Sequence, residues 1–108
     1  MVEHQARLDS IFGSLADTTR RDILRRLARR ELSVGEIASS YDISLAAVSK
    51  HLVVLEKACL ITKRRQGKLQ VVELSPAALT DASKHLERYR VIWENRLDRL
   101  EKYLEKQP

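Results

Sequence analysis

Apolar side chains recur along this chain at two spacings, and the switch between them marks out its elements. In residues 5–16, Leu8, Ile11, Phe12 and Leu15 fall at i, i+3, i+4 and i+7, the stripe of an amphipathic helix. Asp17-Thr18-Thr19 then offers side-chain oxygens to cap a second helix, whose apolar positions Ile23, Leu24 and Leu27 keep helical spacing and which is expected to reach Arg30. Ser33 with Glu36 three residues on has the spacing of a capping box for a short helix, Val34 to Ser40, with Val34, Ile37 and Ala38 inward. After the short connection Tyr41-Asp42-Ile43, Ser44 can cap a further helix whose inward row is Val48, Leu52 and Leu55. The result is helix, tight turn, helix. Beyond Ala58 the period becomes extended. Leu60-Ile61-Thr62 and Leu69 to Leu74 flank Arg65-Gln66-Gly67-Lys68, which predicts a hairpin with Gly67 free to take positive φ at the turn. Leu69, Val71, Val72 and Leu74 do not alternate, so the pattern leaves the buried face of this hairpin open. Ser75-Pro76 opens a last helix that runs to about Glu105. The predicted order is α-α-α-α-β-β-α, mainly α with a small β hairpin, in one domain over residues 1–108.

The last helix carries more apolar surface than such a domain can cover. Leu79, Leu86, Trp93 and Leu100 repeat every seven residues, with Ala82, Tyr89, Leu97 and Leu104 interleaved. Leaving such a stripe in water forgoes roughly 1.5 to 3 kcal/mol for each large side chain. A second copy of the chain is the natural cover, in a two-fold dimer. The expected seam comprises Leu86, Tyr89, Trp93, Leu97 and Leu100 of helix 76–105, joined by Leu8, Ile11 and Phe12 of helix 5–16. The alternative is that the stripe folds back on its own domain.

Charge sharpens the picture. Residues 44–70 hold six basic side chains against the single acid Glu56, and their net +5 equals that of the whole chain. Such a concentration points to a polyanion. Arg20, Arg21, Arg25, Arg26, Arg29 and Arg30 form a second basic cluster, but nearby acids offset it, and a solvated, paired face is the preferred reading over phosphate contact. The apolar runs are only a few residues long, so none spans a bilayer. The start, Met-Val-Glu-His-Gln, has no signal-peptide pattern, and the expected location is the cytoplasm. The single cysteine, Cys59, excludes an internal disulfide. The three glycines never gather into a phosphate-binding loop, and neither a GxSxG nor an HExxH string occurs, so no enzyme is expected.

The strings Leu15-Ala-Asp-Thr-Thr-Arg-Arg-Asp-Ile-Leu24, Ser33-Val-Gly-Glu-Ile-Ala38, Ser44-Leu-Ala-Ala-Val-Ser-Lys-His-Leu-Val-Val-Leu55 and Lys63-Arg-Arg-Gln-Gly67 occur in that order. Together they resemble the ArsR-type family of bacterial winged-helix transcriptional regulators over nearly the whole chain. The resemblance implies a winged helix-turn-helix, dimeric through its terminal helices, that binds double-stranded DNA. One recognition helix per subunit would enter successive major grooves of a near-palindromic operator, with half-sites about 34 Å apart. On that reading Ser44, Ala47, Ser49 and His51 are assigned to the groove or nearby phosphates, and Lys50, Arg64, Arg65 and Lys68 chiefly to phosphates. Ser44 as a plain cap, and Ser49 or His51 as packed residues, are the structural alternatives. Repression is expected, since no surface for recruiting polymerase is evident. The cysteines by which many relatives bind metal are replaced by Ser33 and Gly35. Asp81 and His85 lack a second histidine to complete a metal site between the last helices, and Cys59 stands where relatives often have a helix-ending glycine. No metal and no cofactor are therefore assigned, and no effector is identified. The rival from another class is a dimeric interaction module whose winged helix docks an acidic protein.

Overall fold

The computed structural model describes the backbone of residues 2–106 and the side chains of residues 5–106. Its elements are α1 (Val2–Ser14), α2 (Thr18–Leu27), β1 (Leu32–Ser33), α3 (Val34–Ser39), α4 (Leu45–Lys57), β2 (Ile61–Gln66), β3 (Leu69–Leu74) and α5 (Pro76–Glu105). Each expected cap on the three middle helices forms. The Asp17 carboxylate accepts the Arg20 backbone N–H at 3.0 Å, and Ser44 Oγ accepts that of Ala47 at 3.1 Å. Ser33 and Glu36 exchange reciprocal bonds, each 3.1 Å, in a complete capping box. α2 stops at Leu27 rather than Arg30, leaving Arg29 and Arg30 beyond the helix.

α4 ends where Cys59 takes a left-handed φ of 61°. The N–H of Cys59 donates to the Glu56 carbonyl and that of Leu60 to the Leu55 carbonyl, so Cys59 holds the position usually given to glycine in this type of helix end. The reversed chain enters β2 directly, which places the hairpin beside α4.

The hairpin acquires a third strand that the sequence pattern did not predict. β1 pairs antiparallel with β3, Leu32 opposite Val72 and Ser33 opposite Val71, giving the order β1-β3-β2. β2 and β3 run in register from Ile61 opposite Leu74 to Gln66 opposite Leu69, with Gly67 at φ 63° in the turn. This explains the broken alternation. Val72 is buried on the face it shares with Ile61 and Lys63, while Val71 is buried on the other face, between its cross-strand neighbours Ser33 and Arg64.

The core gathers Ile11 of α1, Ile23, Leu24 and Leu27 of α2, Ile37 of α3, Val48, Leu52 and Leu55 of α4, Ile61 and Val72 of the sheet, and Ala78 and Ala82 of α5. Only the first turns of α5 contribute. From Leu86 onward, Leu86, Tyr89, Trp93, Leu97, Leu100 and Leu104 are each at least 50% exposed, although they continue the row begun by Ala78 and Ala82. The helix is 30 residues long, about 45 Å at a rise of 1.5 Å per residue, and it accounts for the elongated 70 × 33 × 21 Å shape.

Candidate nucleic-acid interface

Burial of Val48, Leu52 and Leu55 fixes which side of α4 faces outward. Around the helix from that row, Ser49 and Lys50 are exposed, and Lys50 makes no ion pair among the described residues. The reason is local: residues 46, 47, 53 and 54, at i±3 and i±4 from Lys50, are alanines and valines. Ser44 is exposed with its oxygen engaged by the cap, and Ala47 is half-buried.

His51, expected at the groove, is turned to the flank of α4 that meets the α1–α2 connection. Its Nδ1 lies 3.7 Å from an Asp17 carboxylate oxygen and 3.4 Å from Arg20 Nη1. Arg20 in turn donates from Nε to the Ser14 carbonyl at 2.7 Å and from Nη2 to that of Gly13 at 3.2 Å, closing the C-terminal end of α1. The Arg20 backbone N–H, assisted by the neighbouring His51 and Arg20 charges, holds the Asp17 carboxyl below its usual range. His51 thus ties α4 to the loop behind it.

The two wing arginines part company. Alternation puts Arg65 on the β2 face of Lys63, whose ammonium reaches Glu56 of α4 at 3.7 Å, so this face looks toward α4. Arg65 makes only an internal bond to the Gly67 carbonyl at 3.3 Å, and Lys68 beside it is exposed and without an ion pair among the described residues. Arg64 points to the opposite face. There its guanidinium donates to Glu73 at 2.5 Å, Glu31 at 2.6 Å and the Gln66 side-chain oxygen at 2.8 Å. Those carboxylates raise the Arg64 pKa further, and Arg64 lowers that of Glu73.

Sequence reasoning passed over part of the outward row of α4. Ala46, Lys50, Val53 and Lys57 are exposed at i, i+4, i+7 and i+11, and Leu45 at the start of the helix is 60% exposed. A helical wheel centred opposite Val48, Leu52 and Leu55 finds the four, whereas a search for polar groups does not.

At the expected seam, Phe12 is half-buried, while Leu8 and Ile11 are 4% and 0% exposed and pack largely within the subunit. The remaining surface forms two shallow clefts. One, of about 340 Å³, lies between α1 and α5 and is lined by Leu8, Phe12, His85, Leu86 and Tyr89. The other, of about 440 Å³, is lined by Leu97, Leu100 and Leu104. Asp81 is ion-paired with Arg7 of α1, and the His85 ring stands edge-on to Tyr89 with centroids 4.9 Å apart. Among the described residues no three His, Cys, Asp or Glu side chains converge as metal ligands.

A helical core closed by a small sheet, an exposed second helix of a helix-turn-helix and a basic hairpin define a winged helix-turn-helix protein. The family model for a helix-turn-helix domain matches residues 15–64. An HTH-type transcriptional regulator of Mycobacterium tuberculosis, Rv2034, is 42% identical over 81 residues, covering 75% of this chain and 76% of the relative. The transcriptional repressor SdpR of Bacillus subtilis is 32% identical over 75 residues, 69% of this chain and 83% of the relative. A solved ArsR family transcriptional regulator, RHA00566, superposes with a TM-score of 0.78 at 32% identity over 83% of this chain and 93% of its own. The chain belongs to the ArsR family of transcriptional regulators.

Proposed function

We propose that the chain is a homodimeric repressor that binds a near-palindromic operator. The observation that carries this reading is the placement of its uncommitted cations: Lys50 on α4 and Arg65 and Lys68 on the wing lack acidic partners among the described residues. Phosphates supply the missing counter-charge. Ser44 and Ser49 offer hydroxyls to base edges or phosphates, Ala47 leaves room for close approach, and His51 serves from behind by fixing the pose of α4. The uncovered row of α5, with Phe12 and Tyr89 at its edge, is the surface through which two copies join, and a two-fold pair places two recognition helices about one helical turn apart, roughly 34 Å. Likeness to a named repressor supports the sign of the regulation.

The test is an electrophoretic shift of the DNA upstream of the protein's own gene, run against salt. If about 6 to 10 phosphates are neutralised, affinity falls by roughly 10³ to 10⁵ between 50 and 200 mM salt. Absence of any shift at low salt would hand the surface to an acidic protein partner instead. A reporter fused to the same upstream DNA should rise when the protein is removed, and a fall would make it an activator.

A further inference from the structure

We propose that Leu45 reads thymine in the major groove by packing on its 5-methyl group, so that operator choice depends on thymine methyls more than on hydrogen bonds. This rests on the DNA-binding reading above. Leu45 is the first residue of α4, directly after the Ser44 cap, and is 60% exposed, while the core is served by Val48, Leu52 and Leu55 of the same helix. A leucine so placed contributes little to folding.

The polar groups around it are poor readers. Residues 44–53, Ser-Leu-Ala-Ala-Val-Ser-Lys-His-Leu-Val, contain no Arg, Asn, Gln, Asp or Glu, the side chains that recognise guanine, adenine or cytosine edges by paired or accepting hydrogen bonds. Ser44 Oγ already accepts the Ala47 N–H and has its O–H left, which bonds a phosphate or any base pair alike, and His51 is turned to Asp17 and Arg20. Ser49 remains, but a hydroxyl bonds to any base pair, and Lys50 serves phosphate as readily as guanine. The one apolar group on a major-groove edge is the thymine methyl. DNA is favoured over an apolar protein partner because the flanking segment carries the whole +5 charge of the chain and Lys50 lies on the same exposed helix.

The experiment begins with binding sites selected from a random duplex pool by the wild-type protein. The winning duplex is remade with deoxyuridine for thymine in the half-sites, which deletes the methyl and keeps every hydrogen-bonding group. Wild type should bind the uracil duplex roughly fourfold more weakly per methyl contacted, about fifteenfold over two half-sites. Leu45→Ala should bind both duplexes within about twofold of each other, with an unchanged salt slope because no phosphate contact is lost. Equal binding of the two duplexes by wild type, or an undiminished penalty in Leu45→Ala, would overturn the proposal. Failure of wild type to retain any duplex from the pool at low salt is a different result, and would remove the DNA-binding reading together with this one.

Discussion

The chain sets out six cations twice, and the two sets meet different fates. Arg20, Arg21, Arg25, Arg26, Arg29 and Arg30 lie in and just after α2, while Lys50, Lys57, Lys63, Arg64, Arg65 and Lys68 belong to α4 and the wing. In the first set five of the six guanidinium forks are taken up by the protein, and Arg29 is exposed. Arg20 and Arg21 bond to carbonyls at the end of α1 and just beyond, Arg25 pairs with Asp22, and Arg30 pairs with Glu36. Arg26 sits over the Tyr41 ring at 5.4 Å. In the second set Lys63 and Arg64 alone are paired with acids among the described residues, and their three pairs leave the outward side of α4 untouched. Equal numbers of charges therefore give unequal surfaces. What matters for a polyanion is the charge that folding leaves unspent, and lysines without an acid one turn away are left that way by their sequence neighbours.

The sharpest way to break this contrast is to neutralise three members of each set. Lys50→Ala/Arg65→Ala/Lys68→Ala should weaken operator binding on the order of 10³-fold and flatten the salt slope by roughly 5 for a dimer losing six contacts. Arg21→Gln/Arg25→Gln/Arg30→Gln should change affinity by less than about threefold, with a slope near wild type. Titration of both variants on one operator at several salt concentrations decides it, and equal losses would erase the distinction.

The next effect falls on stability instead of binding. Tyr41 donates its hydroxyl to the Asp22 carboxylate at 2.5 Å, and this bond is the largest cause of the lowered Asp22 pKa. Burial and the same bond push the Tyr41 hydroxyl up. Tyr41→Phe should cost about 1.5 kcal/mol, as for a hydrogen bond to a charged group, and lower the melting temperature by roughly 6 to 12 °C. Affinity for DNA, measured below that temperature, should not move.

What could be read in advance follows the range of the interactions. Caps at Asp17, Ser33 and Ser44, and the extent of α5 from Pro76 to Glu105, depend on neighbours within a few residues, and they were legible. β1 was not, because two residues make a strand only when Val71 and Val72 arrive from far along the chain. The positions of His51 and Arg64 were hidden for the same reason: their partners Asp17, Arg20 and Glu31 lie more than 30 residues away. Leu8 and Ile11 carry the periodicity of a seam, yet periodicity names the apolar face of a helix and not whether its own subunit covers it.

Acid tests the first region in another way. Asp17, Asp22 and Glu36, all beside the α2 arginines or at helix starts, have carboxyls held below their ordinary values of 3.8, 3.8 and 4.5. A carboxyl depressed in the folded state adds stability above its unfolded pKa and loses it as pH falls through the folded one. Stability should accordingly be level above about pH 5 and decline below about pH 4. Asp17→Asn keeps a capping oxygen but cannot titrate, so its denaturation midpoint should fall less than wild type between pH 5 and pH 3. A parallel fall in both proteins would detach the cap from the acid limb.

The smallest effect is expected at Arg64, and it tests the boundary between the two sets. By position it belongs with the wing, but its guanidinium is already shared between Glu31 and Glu73 on the face of the sheet turned away from α4. To reach a phosphate it would have to leave two carboxylates that it neutralises, exposing their charge to the same DNA. Arg64→Ala should therefore weaken operator binding by less than about threefold, and exposed pairs of this kind add little to stability. Glu31→Gln/Glu73→Gln should act in the opposite direction, releasing Arg64 and steepening the salt dependence by up to about 2 per dimer. If Arg64→Ala instead matched Arg65→Ala, the ion pairs would have to open on binding, and cations paired in the free protein would count toward the DNA surface after all.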